Sequence, residues 1–278
     1  ALPGFTAPKL LWLRRHEPDA YRRTRRIMLP KDYVRWKLTG ERATDVADAS
    51  GTLLLDVAAR RWSGDLLDAL EIPPDWLPEV LESPSVSGVT ADRIPVAAGA
   101  GDCAAAGLGV GVDRPGPVSV VLGTSGVVFA ALPAYRPDDQ GRAHVFCHAV
   151  PDMWHAMGVM LSAAGSLQWL RDVIAPEVSF EELDGEAAHW QPGAEGLVFL
   201  PYLQGERTPH ADPDARGAFS GLQLRHDRGA LVRAVLEGVT FAIRDCRDAL
   251  AATGTRIDRL LAVGGGSRSD YWLSAIAT

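Results

Sequence analysis

Cysteine is scarce in this chain. The three present, Cys103, Cys147 and Cys246, are odd in number and far apart, which fits reduced thiols and excludes a disulfide framework. Long apolar runs are also missing: none reaches the roughly 20 residues that a membrane-spanning helix needs. The opening segment from Ala1 to Glu17 turns basic and polar too early for a secretory signal. Nor is there an excess of positive charge, since 28 Lys and Arg stand against 35 Asp and Glu, a formal charge of -7. Binding to a nucleic-acid backbone needs a basic surface, so no nucleic-acid partner and no membrane is expected. Small molecules are the expected ligands and the cytoplasm the expected compartment. An initiator methionine is absent before Ala1, and Ala275–Thr278 stops partway along a helical pattern. Both ends therefore read as cut. No internal repeat or low-complexity tract is visible.

What remains is a composition able to build a large core, 47% hydrophobic and 23% charged over 278 residues, enough for one large domain or two ordinary ones. The first third is helical in character, with Pro8, Pro18 and Pro30 each where a helix can begin and Lys31–Leu38 stopping at Thr39 and Gly40. Arg22, Arg23, Arg25 and Arg26 form a basic run inside this region and read as a solvated face. From Ile94 the texture changes. Ile94–Ala98 has strand length and is followed by a glycine turn and an Ala-rich helical segment. After Pro115 to Pro117, Val118–Leu122 and Val127–Ala131 flank Gly123–Gly126 as a hairpin would. Further strands are expected at Trp154–Met160, Leu197–Leu200 and Arg259–Val263, and helices at Ser166–Val173 and Gly229–Ala252 before Gly254. The mixture indicates an α/β fold, with a boundary near Asp113 separating residues 1–112 from 113–278.

Three glycine-rich turns follow or join these strands: Ala98–Gly101 before Asp102, Gly123 to Gly126 around Thr124 and Ser125, and Gly264, Gly265 and Gly266 before Ser267. Such turns let backbone N–H groups approach phosphate oxygens with no Cβ in the way; read singly, each is more often just a tight turn, and it is their number in one chain that points to phosphate. Familiar phosphate motifs do not fit. No Gly-x4-Gly-Lys-Ser/Thr loop exists. The series from Gly264 lacks the last glycine of a dinucleotide motif, and that of Gly107, Gly109 and Gly111 has the wrong spacing. Ser125 is not in a hydrolase elbow, because Val127 stands where that turn needs glycine. His144, Cys147, His148 and His155 lack the repeated spacing of a zinc site, so no metal ligands are assigned. Asp102 lies between a glycine turn and a helix with no cationic neighbour in sequence. It reads as an N-cap, or as the carboxylate that accepts a hydroxyl proton during phosphoryl transfer, and the two are compatible.

At this point the residues resemble a known family. Gly4–His16 looks like the first signature of the carbohydrate kinases that include xylulokinase, glycerol kinase and gluconate kinase, and Gly217–Leu222 with Leu231–Glu237 resembles the second, with Ala230 where a polar residue is usual. Gly101–Asp102, Leu122–Gly126, Leu200–His210 and Gly264–Arg268 are similar to the xylulokinase branch in order and spacing. The resemblance covers essentially the whole chain. It implies two actin-like, ribonuclease-H-like domains around a cleft, both incomplete here, the first mainly sugar-binding and the second nucleotide-binding. It further implies ATP and Mg2+, a sugar as partner, and transfer of the γ-phosphoryl group to a ketopentose hydroxyl with D-xylulose first, and it leaves a homodimer open.

Residue by residue, the resemblance makes Asp102 the base and a substrate contact, and Cys103 the adjacent substrate contact. Thr124, within Gly123 to Ser125, becomes a phosphate contact. Gly165 and Gln168 border the nucleotide, and Gly265 and Ser269, with Gly264 and Gly266, hold the adenosine. Arg207 gains a signature without a role and is expected to form a structural ion pair. Two departures stand out. Cys103 replaces the usual Asn and is a poorer hydrogen-bond partner, which opens the sugar to ribulose, glycerol or gluconate. The stretch from Ser87 to Ile94 is shorter than the pattern. An Asp-x-Gly-Thr phosphate loop would precede Ala1, so this chain alone is expected to turn over little, and a non-catalytic binding relative is the alternative.

Overall fold

Proline opens helices here because its fixed φ suits the first turn, where its missing N–H is not needed. In the computed structural model, which describes residues 4–278, Pro18–Arg23 and Pro30–Thr39 both begin on the proline. The helix expected to open at Pro8 is Thr6–His16, so Pro8 falls inside the first turn, where its absent N–H still costs nothing. Arg22, Arg23, Arg25 and Arg26 are all exposed, as a solvated face requires.

The chain divides into two compact units. The first takes the chain up to Asp113 together with Ala131–Tyr135 and Val145–His155; the second takes Arg114–Ala130, Arg136–His144 and Ala156–Thr278. The first unit is built of short helices and two-stranded ladders. Ala43–Asp45 runs parallel to Glu79–Leu81, and Val86–Val89 pairs antiparallel with Pro95–Ala97. The strand expected over Ile94–Ala98 is thus confined to Pro95–Ala97, because its partner strand is short. One apolar cluster gathers Leu10, Leu54, Leu67, Ile72 and Trp76. A second, made only of the small residues Ala47, Ala104 and Ala149, seats the helix Asp102–Gly109.

One of the four His and Cys residues weighed as metal ligands, His148, is held by backbone. His148 is fully buried. Its Nδ1 accepts the Val150 N–H at 3.0 Å, so Nε2 carries the proton and donates it to Val112 O at 3.0 Å. Burial pushes the ring below the ordinary imidazole value, which keeps it neutral in this role. Among the described residues no three His, Cys, Asp or Glu side chains are grouped as a metal site would need, and no helix is long and apolar enough to cross a membrane.

The second unit carries the strands Ile257–Val263 and Gly116–Leu122 and most of Gly126–Leu132 and Trp154–Met160, side by side in that order. The first two strands are parallel and the next pair is the expected hairpin. A 24-residue helix, Arg228–Ala251, is the longest element of this unit; Val232, Val235, Leu236 and Val239 on its buried side are at most 1% exposed. Asp227 caps it by accepting the Ala230 N–H at 3.0 Å, as an aspartate N-cap should.

Asp138 organises a loop of the same unit. Its carboxylate accepts Arg142 Nε at 3.1 Å, Arg142 Nη2 at 3.0 Å and the Arg142 N–H at 2.7 Å. The Arg142 side chain, aided by backbone donors and opposed by burial, holds the Asp138 carboxyl down to about 2. A carboxyl whose folded value lies below its unfolded value of 3.8 contributes stability that is complete above that value and lost as pH falls toward the folded one. Asp138→Asn is therefore expected to cost about 1.5–3 kcal/mol at pH 7, the range for hydrogen bonds to charged groups. Thermal melts of both proteins between pH 7 and pH 2 check this: the gap in Tm should close below pH 4, and a constant gap contradicts it.

Candidate functional site

In the first unit the site is built around the turn that ends at Asp102. Gly101, with extended backbone, takes the N-cap position, and Asp102 is the first residue of the helix. The expected Asp102 N-cap is thereby corrected: Gly101 supplies the cap backbone, and Asp102 Oδ1 accepts the N–H of its neighbour Cys103 at 2.7 Å. The carboxylate is exposed, and among the described residues no cation lies within 4.0 Å of it. A carboxylate so placed is free to accept a proton from a ligand hydroxyl. Burial, and after it the charge of Asp102, pushes the Cys103 thiol up to about 11. Cys103 is thus a neutral thiol, neither nucleophile nor strong acceptor at physiological pH.

Side chains far away in sequence hold this turn. Lys31 Nζ lies 2.5 Å from Asp32 Oδ1, 2.6 Å from Asp45 Oδ2 and 3.5 Å from Asp48 Oδ2. Asp45 Oδ1 caps the helix Val46–Ser50 by accepting the Ala47 and Asp48 N–H groups and also accepts Ser83 Oγ–H at 3.2 Å. Arg35 Nη1 donates to Ala98 O at 2.6 Å and Gly99 N–H to Ser83 O at 3.0 Å. A Cβ on Gly101 would meet Asp48 Oδ1 at 3.3 Å. Burial alone would lower the Lys31 ammonium, and the charges of Asp45 and Asp32 outweigh it, so its net shift is upward. Burial raises the Asp48 carboxyl against the pull of Lys31.

In the second unit the hairpin turn Gly123–Gly126 points its carbonyls inward. Ala163 N–H donates to Thr124 O at 2.8 Å, Ala164 N–H to Gly123 O at 2.9 Å and Gly165 N–H to Thr124 O at 3.2 Å. The first turn of the helix Ala164–Ile174 is spent on these carbonyls. The amides of Thr124 and Ser125 meet no acceptor among the described residues, and both residues are exposed. Two outward N–H groups in adjacent positions make a small anion-binding turn. The close approach requires glycine at 165, where a Cβ would lie 2.7 Å from Thr124 O.

The third glycine turn joins the same place. Gly264, at φ 97°, abuts Leu122 O and Gly123 N, where a Cβ would come within 2.8 and 3.2 Å. Gly266 packs on Leu122 and Trp272, whereas a Cβ on Gly265 would meet no atom within 4 Å, so that face of the turn is open. Ser269 is an N-cap: its Oγ accepts the Trp272 N–H at 3.0 Å. Gln168 stands apart, exposed, with Nε2 donating to Asp172 Oδ1 at 2.6 Å. The structure brings Gly123, Thr124, Gly165, Gly264 and Gly266 together and leaves Gln168 and Ser269 at the margin. The ion pair expected for Arg207 is not formed; among the described residues no carboxylate comes within 4.0 Å of its guanidinium, because adjacent Glu206 points inward.

Residues 1–109 match the N-terminal domain of the FGGY family of carbohydrate kinases, and residues 118–278 match its C-terminal domain. The chain belongs to this family. It is 43% identical to the xylulose kinase of Escherichia coli (strain K12) over 285 aligned residues, covering 99% of this chain and 59% of that protein. It is also 43% identical to the xylulose kinase of Lactococcus lactis, covering 97% of this chain and 56% of the relative. Among solved structures, the xylulose kinase from Rhodospirillum rubrum superposes with a TM-score of 0.92 at 34% identity, over 99% of this chain and 58% of that one. A gluconate kinase from Lactobacillus acidophilus also reaches 0.92, at 26% identity over the same shares. The fold is the two-domain actin-like, ribonuclease-H-like fold of these kinases, and the chain spans under three-fifths of the relatives it matches. Equal superposition on enzymes named for different sugars means that the fold alone does not choose the sugar.

Sequence reading missed Lys31, Asp45 and Asp48. The spacing of Asp45 and Asp48 ahead of a short helix is a capping pattern and was the available signal. For Lys31→Met, Asp45, 0% exposed, loses its ammonium partner, and breaking a buried pair costs about 3–5 kcal/mol. Equilibrium urea unfolding should show the midpoint falling accordingly; an unchanged midpoint contradicts the role given to Lys31.

Proposed function

We propose that the protein is an ATP-dependent sugar kinase that phosphorylates D-xylulose to D-xylulose 5-phosphate. The observation that carries this reading is Asp102, an exposed carboxylate at the start of a helix with no cation within 4.0 Å among the described residues, in a chain 43% identical to a xylulose kinase. The first domain, residues 1–112, binds the sugar, and the second, residues 113–278, binds the nucleotide. ATP enters as its magnesium complex, the metal carried on the phosphates as part of the substrate. Dependence on ATP makes the cytoplasm the expected compartment.

The residues divide the reaction among them. Asp102 takes the proton from the terminal hydroxyl as that oxygen bonds to the γ-phosphorus, and the bond from phosphorus to the ADP oxygen breaks. Thr124 and Ser125 direct their amides at phosphate oxygens, the donors fixed before charge builds up. Gly165 admits the phosphates by keeping the helix start close to the turn, and the open face at Gly265 receives the adenosine with Gly264, Gly266 and Ser269. Gln168 borders it.

Cys103 favours one second reading, a different polyol or ketose. A neutral thiol in the contact position cannot supply the two-sided hydrogen bonding of an amide, and sugar choice depends on such groups. Comparing D-xylulose, D-ribulose, glycerol and gluconate at fixed ATP decides between the two. For the base, Asp102→Asn is expected to cut turnover by a factor of ~10² to 10⁴ while leaving sugar and ATP binding in place. Near-normal turnover in a coupled ADP-release assay contradicts the assignment.

A further inference from the structure

Gly205–His210 has so far no role, and its contacts give it one. The segment lies along the end of the strand Trp154–Met160. Thr208 N–H donates to Val159 O at 2.9 Å, and Thr208 Oγ1 accepts the Val159 N–H at 3.0 Å while donating its own proton to Arg142 O at 2.8 Å. Glu206 reaches further along the strand direction. Its Oε1 accepts the Leu161 N–H at 3.0 Å and the Arg207 N–H at 2.7 Å. The segment is closed on itself by two backbone bonds between Glu206 and Asp212, at 2.8 and 2.9 Å.

Leu161 is the point where the strand hands over to the strap that grips the phosphate turn. Two and three residues later, the Ala163 and Ala164 N–H groups hold Thr124 O and Gly123 O. Thr208 fixes Val159, Glu206 fixes Leu161, and the strap then fixes the two turn carbonyls. Once those carbonyls are committed inward, the intervening amides face outward.

Glu206 is 2% exposed. Its Oε2 has no hydrogen-bond partner, and no cation lies within 4.0 Å of the carboxylate among the described residues. Burial, offset only in part by the Arg207 and Leu161 N–H groups, raises its carboxyl above the ordinary range. A buried carboxylate kept only to fill space or pair a charge would not be left in this state. What its carboxylate does is present Oε1 to two backbone N–H groups, that of its neighbour Arg207 and, across to the strand end, that of Leu161.

We propose that Glu206 is a positioning residue for the nucleotide turn: acting through Leu161 and the strap Ser162–Gly165, it sets the outward aim of the Thr124 and Ser125 amides. The proposal rests on reading that turn as the phosphate site. It distinguishes the acceptor atom from the charge, so an amide in place of the carboxyl preserves the function and a methyl group does not.

The experiment compares wild type, Glu206→Ala and Glu206→Gln by amide hydrogen exchange without ligand and by steady-state kinetics with ATP and D-xylulose. In Glu206→Ala, exchange at Leu161, Ala163 and Ala164 should accelerate, and KM for ATP should rise by about tenfold, the scale of one lost buried hydrogen bond. KM for the sugar should stay within about twofold, because the affected contacts lie in the nucleotide unit. Glu206→Gln should match wild type in both readouts. If Glu206→Ala does not fold, Glu206→Asp, which withdraws the acceptor by one methylene, takes its place with the same expected pattern. A folded variant that leaves exchange and KM for ATP unchanged, or raises both KM values alike, overturns the proposal, as does failure of Gln to restore them. Accelerated exchange with Gln rescue in a protein whose wild type does not bind ATP supports the hold of Glu206 on the turn and overturns the nucleotide reading instead.

Discussion

The arrangement of the second unit depends on where two carbonyl groups point. Gly123 O and Thr124 O are turned into the protein by the amides of Ala163, Ala164 and Gly165, and a peptide chain cannot turn those oxygens inward without turning neighbouring N–H groups outward. The proposed anion affinity would thus be a geometric by-product of satisfying backbone groups that would be costly to leave unpaired. It also explains why glycine is needed at 165, where a Cβ would lie 2.7 Å from Thr124 O, and why Gly264 packs against the same hairpin.

The first unit solves a different problem, that of keeping a carboxylate free while charged groups surround its foundation. Lys31 and Arg35 are spent on Asp32, Asp45, Asp48 and the Ala98 carbonyl. Those contacts hold the turn from below, and among the described residues no cation lies within 4.0 Å of the Asp102 carboxylate. The charged cluster supports the proposed base without an ion pair to it. Its small-residue seat, Ala47, Ala104 and Ala149, lets the Asp102 helix sit close to the capped helix that Asp45 begins.

Much of this was legible in local sequence, because local rules govern it. Pro18 and Pro30 mark helix starts through their own φ, and the hairpin at Gly123–Gly126 follows from the apolar strands on both sides. Among the described residues no cation lies within 4.0 Å of Asp102, as none neighbours it along the chain. The unread part consists of contacts between residues remote in sequence. Lys31 looks like any exposed helix lysine until Asp45 is brought to it, and Glu206 looks like a surface acid until it is buried against Leu161. Asp102 as N-cap and Arg207 as ion pair were wrong for a related reason: Gly101 could supply an extended cap of its own, and the nearest acid to Arg207 had a better partner in the backbone.

The central claim is that the Thr124 and Ser125 amides receive phosphate oxygens. Heteronuclear NMR of the backbone amides, with and without the magnesium complex of a non-hydrolysable ATP analogue, tests it most directly. Hydrogen bonds to phosphate should move the Thr124 and Ser125 amide resonances strongly downfield, with the amides of Ala47 and other residues of the first unit much less affected. Saturable binding of the analogue with the Thr124 and Ser125 resonances unmoved would contradict the account.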